Sequence, residues 1–494
     1  MNNIRHGNIK LRADMLKIGG IAIVAVWLAM VAFLAQDSHV TGPVLDAKAI
    51  KAGEEWMGIY LNGGKVGYVV DRVEKTPDGY SLSEDMVTTL TVQGSKQEVR
   101  TTVKSRVDDA LLLKDFEFSL KSGFADMEIM GRVAGKVMKL GLNTAGTERA
   151  MELPLSETPH LSTDLDLYLR REGLKVGKKI RLPFFDPSTL SQQYMDLTVE
   201  AEESLKLGDR LLPVYRIKEE YAGVSSTVWM NPEIGAVKGE GFMGFTFLRE
   251  TKEQAMRPPD KGYGGADIIA LASIHAKGNI PEPRNTVFMK ARLGGADLSG
   301  IELSGERQAF SDGVLTVTQE TTVGLAKLTI PVKDPAFAEY LKPAPFVESD
   351  DPKIKRKAAE VLAGEMDAFT AARKLADWVN KSVKKQTSAG IPSAVEVLSN
   401  LSGDCNEHTV LFTALARSVG IPTRMDAGIV MLDGSFYYHA WPEVYVGKWI
   451  SIDPTFGQFP ADATHIKLVE GGLDKQVSIA KVVGKLSVEV LEYR

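Results

Sequence analysis

The stretch Ser402-Gly403-Asp404-Cys405-Asn406-Glu407-His408 contains the only cysteine in the 494 residues and opens a predicted helix. Asp404 is a preferred N-cap residue, and Glu407 three positions later completes a capping box. Apolar residues follow at helical spacing as far as Val419, where a glycine and a proline end the pattern. Cys405 is therefore predicted in the first turn of a buried helix. The helix dipole favours its thiolate there, and the two neighbouring carboxylates oppose it.

Two later segments supply partners for such a cysteine, one ending at Trp441 and one ending at Pro454. His439 in the first segment is a candidate general base, and Asp453 in the second is a candidate to orient the imidazole. A cysteine that opens a helix, followed by histidine and aspartate on later strands, has the order of a Cys-His-Asp triad. The alternatives are a histidine buried in the core and an aspartate that caps a turn.

Four ordered motifs in this region resemble the transglutaminase-like superfamily, which is related to papain-type cysteine peptidases. They are Gly-Asp-Cys-x-Glu-His from Gly403, Gly-Ile-Pro-x-Arg from Gly420, His-Ala-Trp-x-Glu-Val from His439 and Trp-x-x-x-Asp-Pro from Trp449. The resemblance covers residues 335–470 and extends to membrane-anchored envelope members in bacteria. It implies a papain-like fold, acyl transfer through a thioester to an amine or to water, and no cofactor. A binding or assembly module that keeps this fold without catalysis is the alternative function.

The resemblance also implies the roles of single residues. Cys405 would be the nucleophile, His439 the base and Asp453 the orienting carboxylate. A metal site is the competing interpretation, since Cys405, His408, His439, Asp453 and His465 are all possible zinc ligands. The triad explains three of these residues at once, and a metal site requires a choice among five. His408 shares a helix face with Cys405 and is expected to support the site, and His465 receives no role.

Composition limits the possible functions. The chain is 44% apolar and 25% charged, which is typical of a globular protein, and its length suggests about three domains. A net charge of −5, without a basic stripe, argues against nucleic acid as a partner. A single cysteine excludes an internal disulfide and any cysteine-based zinc cluster.

The apolar segment Ile18–Ala35 has no charged residue and is close to the minimum length for a membrane span. Four basic residues precede it within residues 1–17, and none follows before Lys48, so the positive-inside rule places residues 1–17 in the cytoplasm. A cleaved signal peptide is less favoured, because the apolar run is long and ends in a poor cleavage site. We therefore expect a single-pass membrane protein with its bulk in the periplasm or another extracytoplasmic space. Its substrate would be a protein or peptide of the cell envelope.

Composition and turn signals predict an α+β protein with several regions. Residues 40–255 show many strand patterns joined by glycine-rich turns and form a predicted antiparallel β-rich domain. Residues 256–285 are predicted to form a linker. The segments that follow are predicted to be a small β unit at 286–334, the transglutaminase-like domain at 335–470 and a strand extension at 471–494. Three helical patterns between residues 351 and 400 are expected to pack around the Cys405 helix.

The triad also makes a prediction about strand register. A two-residue turn at Gly447-Lys448 would place His439 and Asp453 on opposite faces of the hairpin, because side chains alternate along a strand. A three-residue loop, or a bulge near Pro442, shifts the register by one residue and places Trp441 opposite Asp453 on the neighbouring strand. His439 then becomes the diagonal neighbour of Asp453 on the same face.

Overall fold

A computed structural model of the chain describes residues 52–92, 94–123, 126–144, 147–259, 267–386, 393–482 and 484–494. The described residues divide into two compact units, one that ends at Leu271 and one that begins at Ala272. The division falls inside the linker predicted at 256–285. The predicted membrane segment 18–35 lies outside the described residues. Among the helices within those residues, none has both the length and the apolar character of a membrane span.

The first unit is built on one antiparallel sheet of fourteen strands, in the order β8-β7-β6-β5-β4-β3-β2-β1-β14-β13-β12-β11-β10-β9. The strands are β1 Gly53–Leu61, β2 Gly64–Thr76, β3 Gly79–Val92, β4 Ser95–Val107, β5 Leu113–Ser122, β6 Asp126–Ala134, β7 Val137–Thr144, β8 Thr147–Pro154, β9 Lys179–Asp186, β10 Ser191–Leu207, β11 Arg210–Tyr221, β12 Val224–Asn231, β13 Gly235–Glu240 and β14 Phe245–Arg249. The helices are α1 Ser162–Glu172, α2 Lys252–Ala255 and α3 Ile268–Ala272, which crosses the division. The β-rich region predicted from the sequence is thus confirmed.

Local sequence explains much of this sheet. Asn62 and Gly63 adopt left-handed backbone angles, with φ of 49° and 85°, and make the tight turn between β1 and β2. Along β3, buried and partly exposed side chains alternate, as expected for a strand with one face on a core. The segment between β8 and β9 forms α1.

The second unit combines helices with a sheet of nine strands. Its strands are β15 Ile274–Lys277, β16 Phe288–Gly294, β17 Gln308–Ser311, β18 Val314–Thr318, β21 Thr423–Leu432, β22 Ser435–Tyr445, β23 Trp449–Ser451, β24 Ile466–Glu470 and β25 Ser487–Tyr493, and the short β19 Lys384–Lys385 and β20 Ser402–Gly403 pair separately. Its helices are α4 Pro352–Leu362, α5 Ala368–Ser382, α6 Ala394–Asn400, α7 Cys405–Ser418 and α8 Leu473–Gln476.

The order of strands in this sheet is β17-β18-β16-β25-β15-β22-β21-β24, with β23 paired to β22. Strand β25, from the predicted C-terminal extension, lies between β16 and β15 and runs parallel to β15. The segments predicted separately as 286–334, 335–470 and 471–494 therefore contribute strands to one sheet.

Helix α7 is the centre of the second unit. It contacts α4, α5 and α6 as well as β21 and β22, as expected from the sequence. The shared core consists of side chains from α7 and from one face of the sheet, among them Leu411, Phe412, Leu415, Met425, Val444, Ile450 and Ile452. This packing holds the start of α7 against β22.

The hairpin of β22 and β23 has the register that the triad requires. Tyr445 pairs with Trp449 and Glu443 with Ser451, so the loop has three residues. The Ile452 N–H donates to the Pro442 carbonyl oxygen at 3.0 Å, which continues the same register. The predicted three-residue loop is confirmed.

Candidate active site

The capping box predicted at the start of α7 is present. The Asp404 carboxylate accepts the Asn406 N–H at 2.9 Å, and the Glu407 carboxylate accepts the Asp404 N–H at 2.9 Å. A Cβ at Gly403 would lie 2.3 Å from the Glu407 side chain, so the preceding residue has to be glycine. The Gly-Asp-Cys-x-Glu motif therefore fixes the start of the helix and places Cys405 at its first position.

The Cys405 thiol is fully buried against β22. The backbone N–H of Ala440 faces the sulfur, which places the thiol beside the peptide that joins His439 to Ala440. Burial raises the pKa of the Cys405 thiol well above its ordinary value, and the Asp404 carboxylate raises it further; the Ala440 N–H acts in the opposite direction. The thiol is therefore protonated at neutral pH.

His439 and Asp453 meet on one face of the hairpin. The Nε2–H of His439 donates to Asp453 Oδ2 at 2.8 Å, and both side chains are 0% exposed. The other ring nitrogen, Nδ1, is buried and has no hydrogen-bond partner among the described residues. This nitrogen is the one available to accept a proton, because Nε2 already donates to Asp453.

Two aromatic rings fix the plane of the His439 imidazole. Phe456 stacks on it with ring centroids 4.9 Å apart and planes 16° from parallel. Trp441 stacks at 6.0 Å and 23°. The imidazole therefore has little freedom to rotate, and its orientation does not depend on the Asp453 contact alone.

The Asp453 carboxylate uses both oxygens. Oδ1 accepts the backbone N–H groups of Thr455 at 2.7 Å and Phe456 at 3.0 Å. Oδ2 accepts two imidazoles, His439 and His465, the second at 3.1 Å. Burial alone would favour the neutral acid, but the two histidines keep the pKa of Asp453 well below its ordinary value. Asp453 is therefore a buried anion at neutral pH.

The residues around His465 receive no role from sequence reasoning. Its Nδ1 lies 3.2 Å from the Asp462 carbonyl oxygen, and Asp462 Oδ2 lies 2.9 Å from Arg284 Nη1. The Arg284 guanidinium also lies over the Phe456 ring, 4.5 Å from its centroid. Arg284 comes from the predicted linker, and nothing in the local sequence distinguishes it. The contact of His465 with Asp453 depends on the approach of β24.

A glycine permits that approach. Gly428 on β21 lies opposite His439 on β22, and on its other side it pairs with Lys467 on β24. A Cβ at Gly428 would lie 1.9 Å from the Ile466 carbonyl oxygen, so any other residue would push β24 away. His465, one residue before that strand, depends on this close packing.

The charge state of the resting site differs from the thiolate that a helix N-terminus favours. Burial lowers the pKa of the His439 imidazole despite the nearby Asp453. Burial also raises the pKa of the Cys405 thiol. The sequence predicts a partial stabilisation of the thiolate by the helix dipole, and desolvation outweighs it. At rest the Cys405 thiol and the His439 imidazole are therefore both neutral.

Two other motif residues form a structural ion pair on the same sheet. Arg424 Nε–H donates to Glu443 Oε2 at 2.6 Å, and the Ser451 hydroxyl donates to Glu443 Oε1 at 2.7 Å. Lys467 Nζ lies 3.4 Å from Glu443 and 3.3 Å from Asp426. Burial, followed by the neighbouring Glu443, raises the pKa of Asp426 well above its ordinary value. These residues join β21, β22, β23 and β24 and thereby hold the candidate site in shape.

His408 supports the helix start and does not reach the His439 cluster by any described contact. Its Nδ1–H donates to the Asp404 carbonyl oxygen at 2.6 Å. Burial lowers the pKa of the imidazole. The expectation of a supporting role agrees with this contact.

Three of the five possible zinc ligands lie close together in the structure. The possible ligand atoms of His439, Asp453 and His465 lie within 4.8 Å of one another. Both histidines, however, direct Nε2 at the same oxygen of Asp453, at 2.8 and 3.1 Å. These are hydrogen-bond distances, and a metal would have to occupy the positions of the shared protons. The arrangement fits a carboxylate that orients imidazoles better than a set of zinc ligands.

Comparison with known proteins finds one matching family over part of the chain. A model of the Transglutaminase-like superfamily matches residues 355–454, which include Cys405, His439 and Asp453. No curated protein matches the chain. Residues 355–454 therefore form a transglutaminase-like domain, and this match supports a thiol enzyme as the class of protein.

Three solved structures are similar to parts of the chain, each at low identity. A proposed cysteine protease from Cytophaga hutchinsonii is 17% identical, with a TM-score of 0.28 and coverage of 42% of this chain and 86% of that one. A proposed protease from Parabacteroides distasonis is 10% identical, with a TM-score of 0.20 and coverage of 69% of each chain. A DUF1089 family protein from Pseudomonas aeruginosa is 12% identical, with a TM-score of 0.21 and coverage of 34% and 87%.

Proposed function

We propose that this protein is a thiol enzyme that attacks an amide through Cys405, His439 and Asp453 and transfers the acyl group to an amine or to water. The observation that carries the proposal is the arrangement of His439. One nitrogen of its ring is held by an ionised Asp453 at 2.8 Å, and the other is buried without a partner among the described residues. The Cys405 thiol faces the backbone N–H of Ala440, the residue that follows His439. A general base for a thiol requires this combination.

The first half of the reaction forms a thioester. As Cys405 Sγ bonds to the carbonyl carbon of a glutamine carboxamide or a peptide, His439 Nδ1 takes the thiol proton. The C–N bond then breaks, and His439 returns that proton to the departing ammonia or amine. Because thiol and imidazole are both neutral at rest, proton transfer accompanies the attack. Asp453 stabilises the imidazolium that forms transiently.

The second half of the reaction returns the thiol. An amine or a water molecule attacks the thioester carbonyl and gives a proton to His439, and the C–S bond breaks. The thiolate that leaves then takes the proton from His439. Water as the acceptor makes the enzyme a hydrolase, and an amine makes it a crosslinking transferase. The backbone N–H of Cys405, at the first position of α7, is the proposed donor to the oxyanion in both halves.

Transfer and hydrolysis can be tested in one experiment. The full chain is incubated with envelope proteins and a tagged primary amine, and the products are identified by mass spectrometry. Tagged glutamine side chains indicate transfer, and new glutamates or new peptide termini indicate hydrolysis. Cys405→Ala is the control. Products that form equally with Cys405→Ala would refute the proposal.

The location is proposed on the charge pattern of the sequence. The apolar segment 18–35 follows four basic residues within 1–17, which supports a single membrane crossing with the enzyme outside the cytoplasm. Its substrate would then be an envelope protein or peptide. Protease added to spheroplasts is expected to digest the transglutaminase-like domain and leave a small anchored fragment. Full protection of the domain in intact spheroplasts would contradict this orientation.

A module without catalysis is the second candidate function. The observation that favours it is the complete burial of Cys405 and His439, which leaves a substrate no direct route to the thiol in this conformation. The alkylation of Cys405 separates the two. A catalytic site must open often enough for a small reagent such as iodoacetamide to label Cys405 in the folded protein. Labelling only after unfolding would favour the binding module.

A further inference from the structure

The environment of His465 offers hydrogen-bond acceptors on both sides of its ring. Its Nε2 lies 3.1 Å from Asp453 Oδ2. Its Nδ1 lies 3.2 Å from the Asp462 carbonyl oxygen and 3.4 Å from Asp462 Oδ1. Carbonyl and carboxylate oxygens can only accept, so both ring nitrogens have to donate. An imidazole donates from both nitrogens only when it carries two protons and a positive charge.

We propose that His465 is held as a buried imidazolium between Asp453 and Asp462, and that its charge keeps His439 neutral and ready to act as a base. His465 is a positioning residue in this proposal, since it acts on the reacting groups through Asp453. The part that this charge plays in catalysis rests on the proposed function. The charge state itself can be measured without a substrate.

The balance of charge in the site supports this assignment. Asp453 and Asp462 are two anions, and His465 and Arg284 supply two cations, with Arg284 Nη1 2.9 Å from Asp462. Asp453, Asp462 and His465 are all 0% exposed, so solvent screens their charges little. A proton on His439 would leave the cluster with a net positive charge in a buried place. A neutral His439 therefore completes a balanced group.

The charged groups that contact the two rings fit this assignment. The ring centroids of His439 and His465 are 5.6 Å apart, close enough for strong repulsion between two cations. Burial opposes the charge on His465, but the Asp462 carboxylate, with Asp453, raises the pKa of its imidazole. His465 and Arg284 in turn lower the pKa of His439, after burial and against Asp453. The uncharged rings of Trp441 and Phe456 lie nearly perpendicular to the His465 ring, with centroids 5.0 and 6.3 Å away.

The binding of one carboxylate oxygen by two imidazoles also has a consequence for geometry. If His465 were neutral, one of its nitrogens would be a lone pair directed at an acceptor oxygen, and that contact would be repulsive. In the neutral tautomer with its proton on Nδ1, the lone pair on Nε2 would repel Asp453 Oδ2, and Oδ2 would lose its donor on the side of His465. A charged His465 fixes Oδ2 from the opposite side and so fixes the tautomer of His439, with the proton on Nε2 and Nδ1 open.

The test is nitrogen-15 spectroscopy of the histidine rings in the full chain. The chain has seven histidines, so single substitutions can assign the spectrum. At pH 7 we expect both nitrogens of His465 to carry protons and His439 to carry one, on Nε2. A single proton on His465 at pH 7 in the wild-type chain would overturn the proposal.

Two variants test the effect on His439. In His465→Gln the positive charge is lost and one amide donor remains, so the titration midpoint of His439 is expected to move to higher pH. In Asp462→Asn, His465 loses its anionic partner and should release a proton at neutral pH. The loss of that positive charge should also move the titration midpoint of His439 to higher pH. His275→Gln, which removes a hydrogen bond to Ser435 outside the cluster, is the matched control and should leave the midpoint unchanged.

The outcomes separate this inference from the proposed function. An unchanged His439 midpoint in folded His465→Gln or folded Asp462→Asn overturns the role of His465, whatever the enzyme does. Amine transfer that survives Cys405→Ala overturns the proposed function and leaves the charge state of His465 as measured. If transfer is found, the acidic limb of its pH profile is expected to move to higher pH in His465→Gln. A uniform loss of rate at every pH would instead indicate a structural residue only.

Discussion

Replacing Asp453 by asparagine is the sharpest test of how the candidate site is held together. The carbonyl oxygen of the new carboxamide could still accept the backbone N–H groups of Thr455 and Phe456, which now bind Oδ1 at 2.7 and 3.0 Å. Its NH₂ group would then face the Nε2–H groups of His439 and His465, where a donor opposes two donors. The variant therefore loses the two charge-assisted hydrogen bonds at Oδ2 and keeps the rest.

The size of the effect follows from those two bonds. A hydrogen bond to a charged group contributes about 1.5–3 kcal/mol, so the free energy of unfolding should fall by about 3–6 kcal/mol. For a unit of this size, 1 kcal/mol corresponds to about 2–4 °C, so its melting temperature should fall by roughly 10 °C. The pKa of Asp453 is depressed in the folded state. Its contribution to stability is therefore present above the ordinary carboxyl pKa and is lost as pH falls through the folded pKa.

Scanning calorimetry of the full chain at pH 7 and at several pH values below 4 would measure this effect. The difference between the wild type and Asp453→Asn should be complete at pH 7 and should shrink as the pH is lowered below about 4. Asp377→Asn changes an exposed carboxylate on α5 and is the matched control, with an expected change within about 0.5 kcal/mol. A melting temperature of Asp453→Asn within about 2 °C of the wild type at pH 7 would show that the two bonds at Oδ2 do not hold the site together.

Three further predictions concern other parts of the molecule. Because burial raises the pKa of the Cys405 thiol, its alkylation by iodoacetamide should have a midpoint above the ordinary thiol value of about 8.5, and a lower midpoint would contradict the neutral resting pair. Gly428→Ala should lower the free energy of unfolding by about 1–3 kcal/mol, since the new Cβ would meet the Ile466 carbonyl oxygen. Gly305→Ala is the control and should leave this free energy unchanged, because a Cβ at Gly305 would meet no atom within 4 Å. Burial raises the pKa of Glu84 from 4.5 to about 7 in the folded protein. The free energy of unfolding of the wild type should therefore fall as the pH rises through this range. Glu84→Gln should remove that slope and raise stability at pH 7 by up to about 3 kcal/mol, and an unchanged slope would contradict it.

The parts of the site that follow local rules could be predicted from the sequence. The capping box at Asp404 and Glu407 depends on residues three positions apart, and the structure contains both of its hydrogen bonds. The hairpin register could be derived because a shift by one residue would have placed Val444 and Ile450 on opposite faces and separated His439 from Asp453. Both are cases in which only one local arrangement satisfies the pattern.

The remaining features depend on contacts between distant segments. Arg284 reaches Asp462 only because the predicted linker folds back onto the sheet, and the sequence around Arg284 has no distinguishing pattern. The strand β25 enters the sheet between β15 and β16, a pairing of residues about two hundred positions apart. The protonation of Cys405 also depends on this packing, because burial by β22 outweighs the helix dipole that the sequence reveals.

Catalysis by this chain requires that Cys405 form a thioester with an amide substrate. The intermediate can be sought by peptide mass spectrometry of the full chain after incubation with envelope proteins and rapid acid quenching. Since Cys405 is the only cysteine, any thioester adduct lies on one known peptide. We predict an adduct that hydroxylamine removes at neutral pH, that is absent in Cys405→Ala and that is strongly reduced in His439→Gln. An unmodified Cys405 peptide in the presence of product, or equal product from Cys405→Ala, would contradict the thioester mechanism.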